Sequence, residues 1–341
     1  MLYYVVRELH RYTIDKFLNG LRGKQDVSEF VRVATYETLF ALKRAPLGNY
    51  IFTDIDRLTP FEIDAAGEIV KGLRKADPAV RIVNEPNRVL GRYALLRRLH
   101  DAGLNSFNVW RLDEERLPTA YPVFIRREQD ALGAESPLLR NEEEFRAAIA
   151  RLHAAGKGMP GRIAVQFRES CDAQGIYRKY GAFCFAGMVV PQHLVVADHW
   201  MVKRGMADLT PDLIVEEERY VFDNPHAEHL RKVFALAGID FGRADYCVAD
   251  GKVEVFEINT NPGFPSGRHA DDGRMVRRNH VIAGILAGFG NLDDAPRRRG
   301  MAKFHFPKPK LHRLRDRSVW RRIADRATGL RWRLQALSGR L

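Results

Sequence analysis

The residues with the strongest chemical implication lie between Ala244 and Phe264, ADYCVADGKVEVFEINTNPGF. Along the extended segment ending Phe256-Glu257-Ile258-Asn259, Glu257 and Asn259 share one face and Phe256 and Ile258 the other. A carboxylate and an amide oxygen at the end of an apolar strand are costly unless something compensates them. Asp250-Gly251 reads as the turn of a hairpin over 245–259, which brings Asp245, opening the preceding strand, onto the face of Glu257. Three oxygen donors on adjacent strands suit Mg²⁺, which prefers hard oxygen ligands and shares its shell with water and phosphates. Asn261-Pro262-Gly263 then turns the chain sharply away. Just beyond, PSGRH (265–269) offers Ser266 and Arg268, either to hold a substrate carboxylate or phosphate or as a plain loop.

Other chemistries find little support. There is no G-x-x-x-x-G-K-[ST], no G-x-G-x-x-G after a strand and no H-E-x-x-H. His226 and His229 stand three apart on a helix, where a solvated or capping role outweighs a metal site. His193 and His199 flank a predicted strand and read mainly as satisfied polar groups. Cys171, Cys184 and Cys247 are an odd number without CxxC spacing, which fits buried thiols in a reducing cytoplasm.

Two textures position these residues. From about 31 to 111, strand and helix signals alternate: strands at 30–34, 49–55, 80–84 and 106–112, helices over 60–75 and from Asn87 to His100. Thr59-Pro60 suits the start of the first helix. Repeated β-α-β units imply a small parallel sheet with covering helices. From Tyr121 the pattern becomes mixed. Strands are expected at 121–127 and 162–167, a helix at 141–155, and consecutive strands over 176–203 with a turn near Gly187. A helix capped at Asn224 and ended at Gly238 precedes the hairpin. The later strands are expected to be antiparallel.

The Asp245, Glu257-x-Asn259 and Pro-Gly constellation resembles the ATP-grasp superfamily, especially its carboxylate–amine ligase branch, which includes D-alanine–D-alanine ligase and glutathione synthetase. The resemblance extends more weakly over about residues 30–290. It implies that Asp245, Glu257 and Asn259 bind two Mg²⁺ ions bridging the phosphates of ATP, with Mn²⁺ as a substitute. PVFIR (122–126) stands where the family has a strand ending in a phosphate-binding lysine, which assigns that role to Arg126. AVQF (164–167) stands at the adenine hinge, implicating Gln166 and Phe167, and YRKY (177–180) where an arginine contacts phosphate, implicating Arg178. Departures are visible too. An arginine replaces the lysine, and the loop EQDALGAESPLL (128–139) offers only Gly133 and Ser136. The usual hinge glutamate is missing, with Glu169 nearby.

The implied fold is α/β and α+β: a leading parallel α/β domain over 1–115 and a two-part ATP-grasp domain over 116–290 that binds ATP and carries catalysis. A basic linker and amphipathic tail would follow over 291–341. The implied activity is ATP-dependent carbon–nitrogen ligation through an acyl phosphate, joining a small-molecule or peptide carboxylate to an amine. Arg178 and Arg268 would take part in the chemistry. The alternatives are a nucleotide-binding scaffold that lost turnover and a phosphoryl transferase.

Composition is globular, with 45% hydrophobic and 29% charged residues. No apolar run reaches a membrane span, and Arg7, Glu8 and Arg11 interrupt the start before a signal-peptide core. The formal charge of +12 is uneven: residues 297–341 hold 15 Lys/Arg against two acids, so the body is close to neutral. From Ser318, Val319, Ile323, Ala327, Leu330, Leu334 and Leu337 recur at helical spacing, with Arg321, Arg322, Arg326, Arg331 and Arg333 on other faces. Such a helix fits an anionic membrane surface, nucleic acid or an acidic partner, or docking on its own chain. The expected location is cytoplasmic, including peripherally at the inner membrane face.

Overall fold

The computed structural model describes residues 1–21, 31–114, 116–129, 133–202, 210–265, 272–293 and 300–306. Ser266, Arg268 and the basic helix from Ser318 lie outside them.

The chain opens with β1 (Leu2–Val6), a run in which all five side chains are buried. Such a run suits the centre of a parallel sheet covered on both faces. Helix α1 (Tyr12–Leu21) leads to β2 (Val31–Thr35), α2 (Tyr36–Leu42), β3 (Arg44–Pro46) and β4 (Asn49–Phe52). Then come α3 (Pro60–Ala76) and the short β5 (Ile82–Val83). Four strands form a parallel sheet in the order β2-β1-β4-β5. Strand alternation splits its core in two: Tyr3, Val5, Tyr50 and Phe52 pack beneath α2 and α3, while Leu2, Tyr4, Val6 and Ile51 face the rest of the molecule. Helix α3 begins as the sequence indicates, with Pro60 in the first turn and a reciprocal capping box between Thr59 and Glu62.

Helix α4 (Arg92–Asp101) begins five residues later than Asn87. The expected strand at 106–112 is β6 (Val109–Arg111), and it does not join the parallel sheet. It pairs antiparallel with β8 (Arg162–Gln166), which also pairs antiparallel with β7 (Val123–Arg127). Helix α5 (Glu142–Ala154), capped by Asn141, packs against this three-stranded sheet.

A second antiparallel sheet has the order β10-β9-β11-β12, from β9 (Tyr177–Phe185), β10 (Met188–Ala197), β11 (Phe241–Ala249) and β12 (Lys252–Asn259). Two helices, α6 (Pro211–Asp223) and α7 (Ala227–Ala237), lie between β10 and β11. Asn224 does not cap α7. It closes α6 in the left-handed conformation, and His226 occupies the position before α7. Asparagine suits both kinds of helix end, so its presence alone does not say which one it serves. The β11–β12 turn falls at Asp250-Gly251, both with positive φ, as a two-residue hairpin turn demands.

Helix α8 (Asp272–Leu292) and β13 (Met301–Lys303), paired with β3, occupy part of the stretch that reads as a linker. Proline and charge marked it as open loop, but Ala302, Phe304 and Phe306 are buried under the leading sheet.

Polar side chains lock the leading sheet to β11 and β12. Asn84, fully buried, donates to the carbonyls of Phe52 and Phe241 and accepts from the amides of Asp240 and Phe241. The amide of Ile55 donates to Thr260 Oγ1, and Asn261 accepts from Tyr4 and Thr13 hydroxyls at 2.9 and 2.8 Å. The turn after β12 is therefore held by the end of the parallel sheet. Among the described residues, no helix is long and apolar enough to cross a membrane.

Candidate active site

Register places Asp245 directly opposite Glu257, and Arg243 opposite Asn259. With alternation of two, these four side chains form one polar patch on a single face. A β-bulge follows Asp245, a feature over-represented beside functional sites. On the other side Asp245 neighbours Gly181 of β9, and Lys179 shares that face with its Nζ 3.8 Å from the Asp245 carboxylate. Arg243 holds the same carboxylate in a fork, Nε at 2.8 Å and Nη2 at 3.2 Å.

Glu257 is clamped from the other direction. Arg92, the first residue of α4, donates to its Oε2, and Arg126 of β7 reaches the same oxygen at 3.5 Å. Asn259 Nδ2 donates to Oε1 at 3.3 Å. Burial pushes the Glu257 carboxyl up, but the two guanidiniums and this amide outweigh it and hold it down at about 2, against an ordinary 4.5. A depressed carboxyl stabilises the fold above its unfolded value and loses that contribution as pH falls through the folded one. The stability advantage of the native chain over Glu257→Gln is thus expected to be full at pH 6 and to shrink steadily between about pH 4.5 and 2. Urea midpoints of both proteins across that range check this; a constant gap would contradict it.

Asp245 and Glu257 close one end of a cleft of about 200 Å³ between the three- and four-stranded sheets. Its other walls are aromatic. Trp200 stacks at a tilt on Phe124, ring centroids 5.0 Å apart, and meets Phe167 edge-on at 5.8 Å. Phe107 and Phe256 line the same space. Phe167 is therefore a cleft wall, although its amide is committed to the Pro122 carbonyl at 2.8 Å. Gln166 also borders the cleft, its Oε1 accepting from the Asn108 amide at 3.1 Å. The cleft thus has a flat apolar end and a charged end, with Arg126 and Lys179 beside the two carboxylates.

Of the residues singled out from sequence, Asp245, Glu257, Asn259 and Arg126 come together, and Gln166 and Phe167 border the same cleft. Arg178 borders this cleft as well, but its guanidinium is turned away from the two carboxylates. Its guanidinium is held by Asp172 at 2.6 Å and by Glu216 at 2.8 and 2.9 Å, on the face opposite Lys179. Arg268 lies outside the described residues. Glu169 is tied to its own loop, accepting from the amides of Ser170 and Cys171. His226 bonds the Tyr246 hydroxyl at 3.0 Å, and burial lowers the pKa of both His226 and His229. Among the described residues, no group of three or more His, Cys, Asp or Glu could hold a metal.

Sequence reading missed Arg92, Lys179, Arg243 and Trp200. Arg243 carried a signal, two residues before Asp245 and so on its face. The others reach the site through tertiary packing.

The donor chemistry fits Mg²⁺. Two carboxylates in direct register and an amide two residues on are hard oxygen ligands with room for water and phosphate oxygens. Each carboxylate is already charge-matched by cations, so a metal must share them with arginines that can turn to phosphate.

No family model matches the chain, and no curated protein matches it. Solved structures do. The chain is similar to D-alanine–D-alanine ligase from Bacillus anthracis complexed with ATP, at 11% identity and TM-score 0.48, over 86% of this chain and 99% of that one. It is similar to the Coxiella burnetii D-alanine–D-alanine ligase at 12% identity and TM-score 0.49, over 93% and 98%. An L-amino acid ligase from Bacillus licheniformis matches at 13% identity and TM-score 0.37, over 76% and 66%.

Proposed function

We propose that the chain is an ATP-dependent carboxylate–amine ligase of the ATP-grasp type. Its leading α/β domain would be built on the parallel sheet β2-β1-β4-β5 with β13 returning to it, and its ATP-binding and catalytic part on the three- and four-stranded antiparallel sheets, β6 included. One observation carries the reading: a single cleft joins aromatic walls suited to a purine with a paired-carboxylate, multi-cation end suited to Mg²⁺ and a triphosphate.

In the proposed reaction an oxygen of the acid attacks the γ-phosphorus of ATP. ADP leaves with the electron pair of the broken P–O bond, giving an acyl phosphate. The amine nitrogen then attacks the acyl carbon, phosphate leaves with the C–O pair, and the nitrogen loses a proton. Mg²⁺ held by Asp245, Glu257 and Asn259 would neutralise phosphate charge and polarise the phosphoryl oxygens. Arg126, Arg92, Lys179 and Arg243 supply fixed positive charge at the same end, where it counts most as charge shifts in the transition state. Lys179 takes the phosphate role that the family likeness assigns to Arg178. No protein nucleophile is needed, and burial pushes the Cys184 and Cys247 thiols up to about 11 and about 12.

Incubating the protein with Mg²⁺-ATP and panels of acids and amines tests the reading through ADP release and amide formation. The double arginine clamp on Glu257 favours one alternative, a nucleotide-binding scaffold. Nucleotide binding without ADP under every combination would support it, while a stable phosphorylated acid would indicate phosphoryl transfer. Trp200→Ala removes the stacking wall, and nucleotide affinity is expected to fall about 10-fold, the worth of one base–aromatic contact. Calorimetric titration of a non-hydrolysable ATP analogue checks this, and unchanged affinity would place the base elsewhere. The basic segment 297–341 fits an anionic surface; unchanged vesicle partitioning after deletion of 307–341, which spares the buried Ala302, Phe304 and Phe306, would remove that role.

A further inference from the structure

We propose that a second cleft, on the β10 side of Asp245, seats the acid substrate, and that this acid carries a second anionic group. The proposal rests on the ligase reading and adds the substrate class. The cleft encloses about 400 Å³, within the range of about 300–1,000 Å³ typical of small-molecule sites. Asp245 and Lys179 line both this space and the nucleotide cleft. An acid group at that end therefore lies beside the place proposed for the triphosphate.

Charge selects the ligand. Three cations, Lys16, Lys179 and Arg243, line the cleft against one carboxylate, Asp245. Arg243 already matches that carboxylate with a two-bond fork. Lys179 and Arg243 are largely withdrawn from water, at 25% and 15% side-chain exposure. Lys16 makes no ion pair among the described residues. Lys179 stands where the two clefts meet, 3.8 Å from Asp245, and serves the reacting carboxylate beside the triphosphate, which leaves Lys16 at the exposed rim for a second anionic group.

The placement of the cations separates two binding ends. Lys179 and Arg243 project from the sheet. Lys16 comes from α1, where Tyr12 and Thr13, four and three residues earlier, share its face. That face is fixed over the end of β12 by Phe17 stacked on Phe264 at 4.7 Å and by Thr13 bonded to Asn261. Phe264 and Val195 supply apolar surface for a short carbon body. His193 lines the cleft with its ring over Gly181, the register partner of Asp245, where a Cβ would lie 2.8 Å from the imidazole. Glycine there lets the imidazole lie along the sheet at the cleft wall.

The probes are glutarate and pentanoate, five-carbon acids that differ in one carboxylate, each titrated into the full chain with Mg²⁺ and a non-hydrolysable ATP analogue. Glutarate is expected to bind at least about 10-fold more tightly than pentanoate. Lys16→Met, an exposed change, is expected to erase that preference, with nucleotide affinity as the control for folding. Equal or undetectable binding of the two acids, or a preference that survives Lys16→Met, overturns the proposal. Hydroxylamine, which converts an acyl phosphate to a hydroxamate with release of phosphate, separates the two claims. ADP and hydroxamate formed equally from both acids would keep the ligase reading and sink this one. A Lys16-dependent glutarate preference without ADP release would keep the site and sink the ligase reading.

Discussion

Replacing Glu257 with glutamine is expected to lower Mg²⁺-ATP-dependent ADP release by about 10³-fold or more, with the fold retained. Glu257 is where the two halves of the site meet: it lines the cleft between the three- and four-stranded sheets, opposes Asp245 in register, and is gripped by Arg92 and Arg126. Glutamine keeps the size and one acceptor oxygen, so Arg92 and Asn259 retain partners of reduced strength. What disappears is the negative charge, leaving two guanidiniums facing a neutral amide and one fewer anionic ligand for a divalent cation. The stability cost should be about 1–3 kcal/mol, the range for weakening a partly buried charged hydrogen bond. Circular dichroism and a urea titration check the fold, and a coupled ADP assay checks turnover. Turnover within about 10-fold of the native rate would remove Glu257 from the chemistry.

Asp54→Ala is expected to cost about 3–4 kcal/mol and to lower activity without touching the cleft. Asp54, two residues beyond β4, is fully buried with φ +54°, a conformation that Asp tolerates better than Ala. Its carboxylate accepts from the Arg7 amide, from Asn261 Nδ2 and, at 3.2 Å, contacts His10 Nδ1, while Arg57 stands 3.7 Å away. Truncation strands these buried partners, the mechanism behind the largest single-residue losses. It also removes one of the bonds that hold Asn261, whose turn follows directly on Asn259. Asp54→Asn keeps the backbone preference and part of the bonding, so it should recover about half the loss. Tryptophan fluorescence in urea measures both variants, and a loss below about 1 kcal/mol for Asp54→Ala would deny the junction this role.

Local rules account for what was readable beforehand. The Asp250-Gly251 turn and the alternation through Glu257-Ile258-Asn259 mark the hairpin from adjacent residues alone, but a regular two-residue turn would set Asp245 opposite Phe256, and it is the bulge after Asp245 that brings it opposite Glu257. Thr59-Pro60 marked the start of α3 in the same way. Other features depend on partners distant in sequence. β1 is apolar throughout, and a five-residue run without alternation does not declare its own element type. The strand at 109–111 carried a strand signal but no information about which sheet receives it. Arg178 and Lys179 are adjacent and both border the cleft, but strand parity turns one charged group toward Asp245 and the other toward Glu216 of α6; only the pairing of β9 with β11 decides which. Arg92 and Trp200 enter from a helix and a loop whose approach to the hairpin is a matter of packing. Helix α6 escaped because Val215 and Phe222 stay exposed, at 54% and 42%, which blurs its apolar stripe.

The most direct measurement is a crystal structure of the full chain with Mg²⁺ and a non-hydrolysable ATP analogue. The account predicts a purine ring against Trp200 and Phe167, and Mg²⁺ at about 2.1 Å from oxygens of Asp245, Glu257 and Asn259. Arg126 and Lys179 should then lie on the phosphates. A nucleotide bound elsewhere, or Glu257 still gripped by both arginines with no metal beside it, would contradict the account.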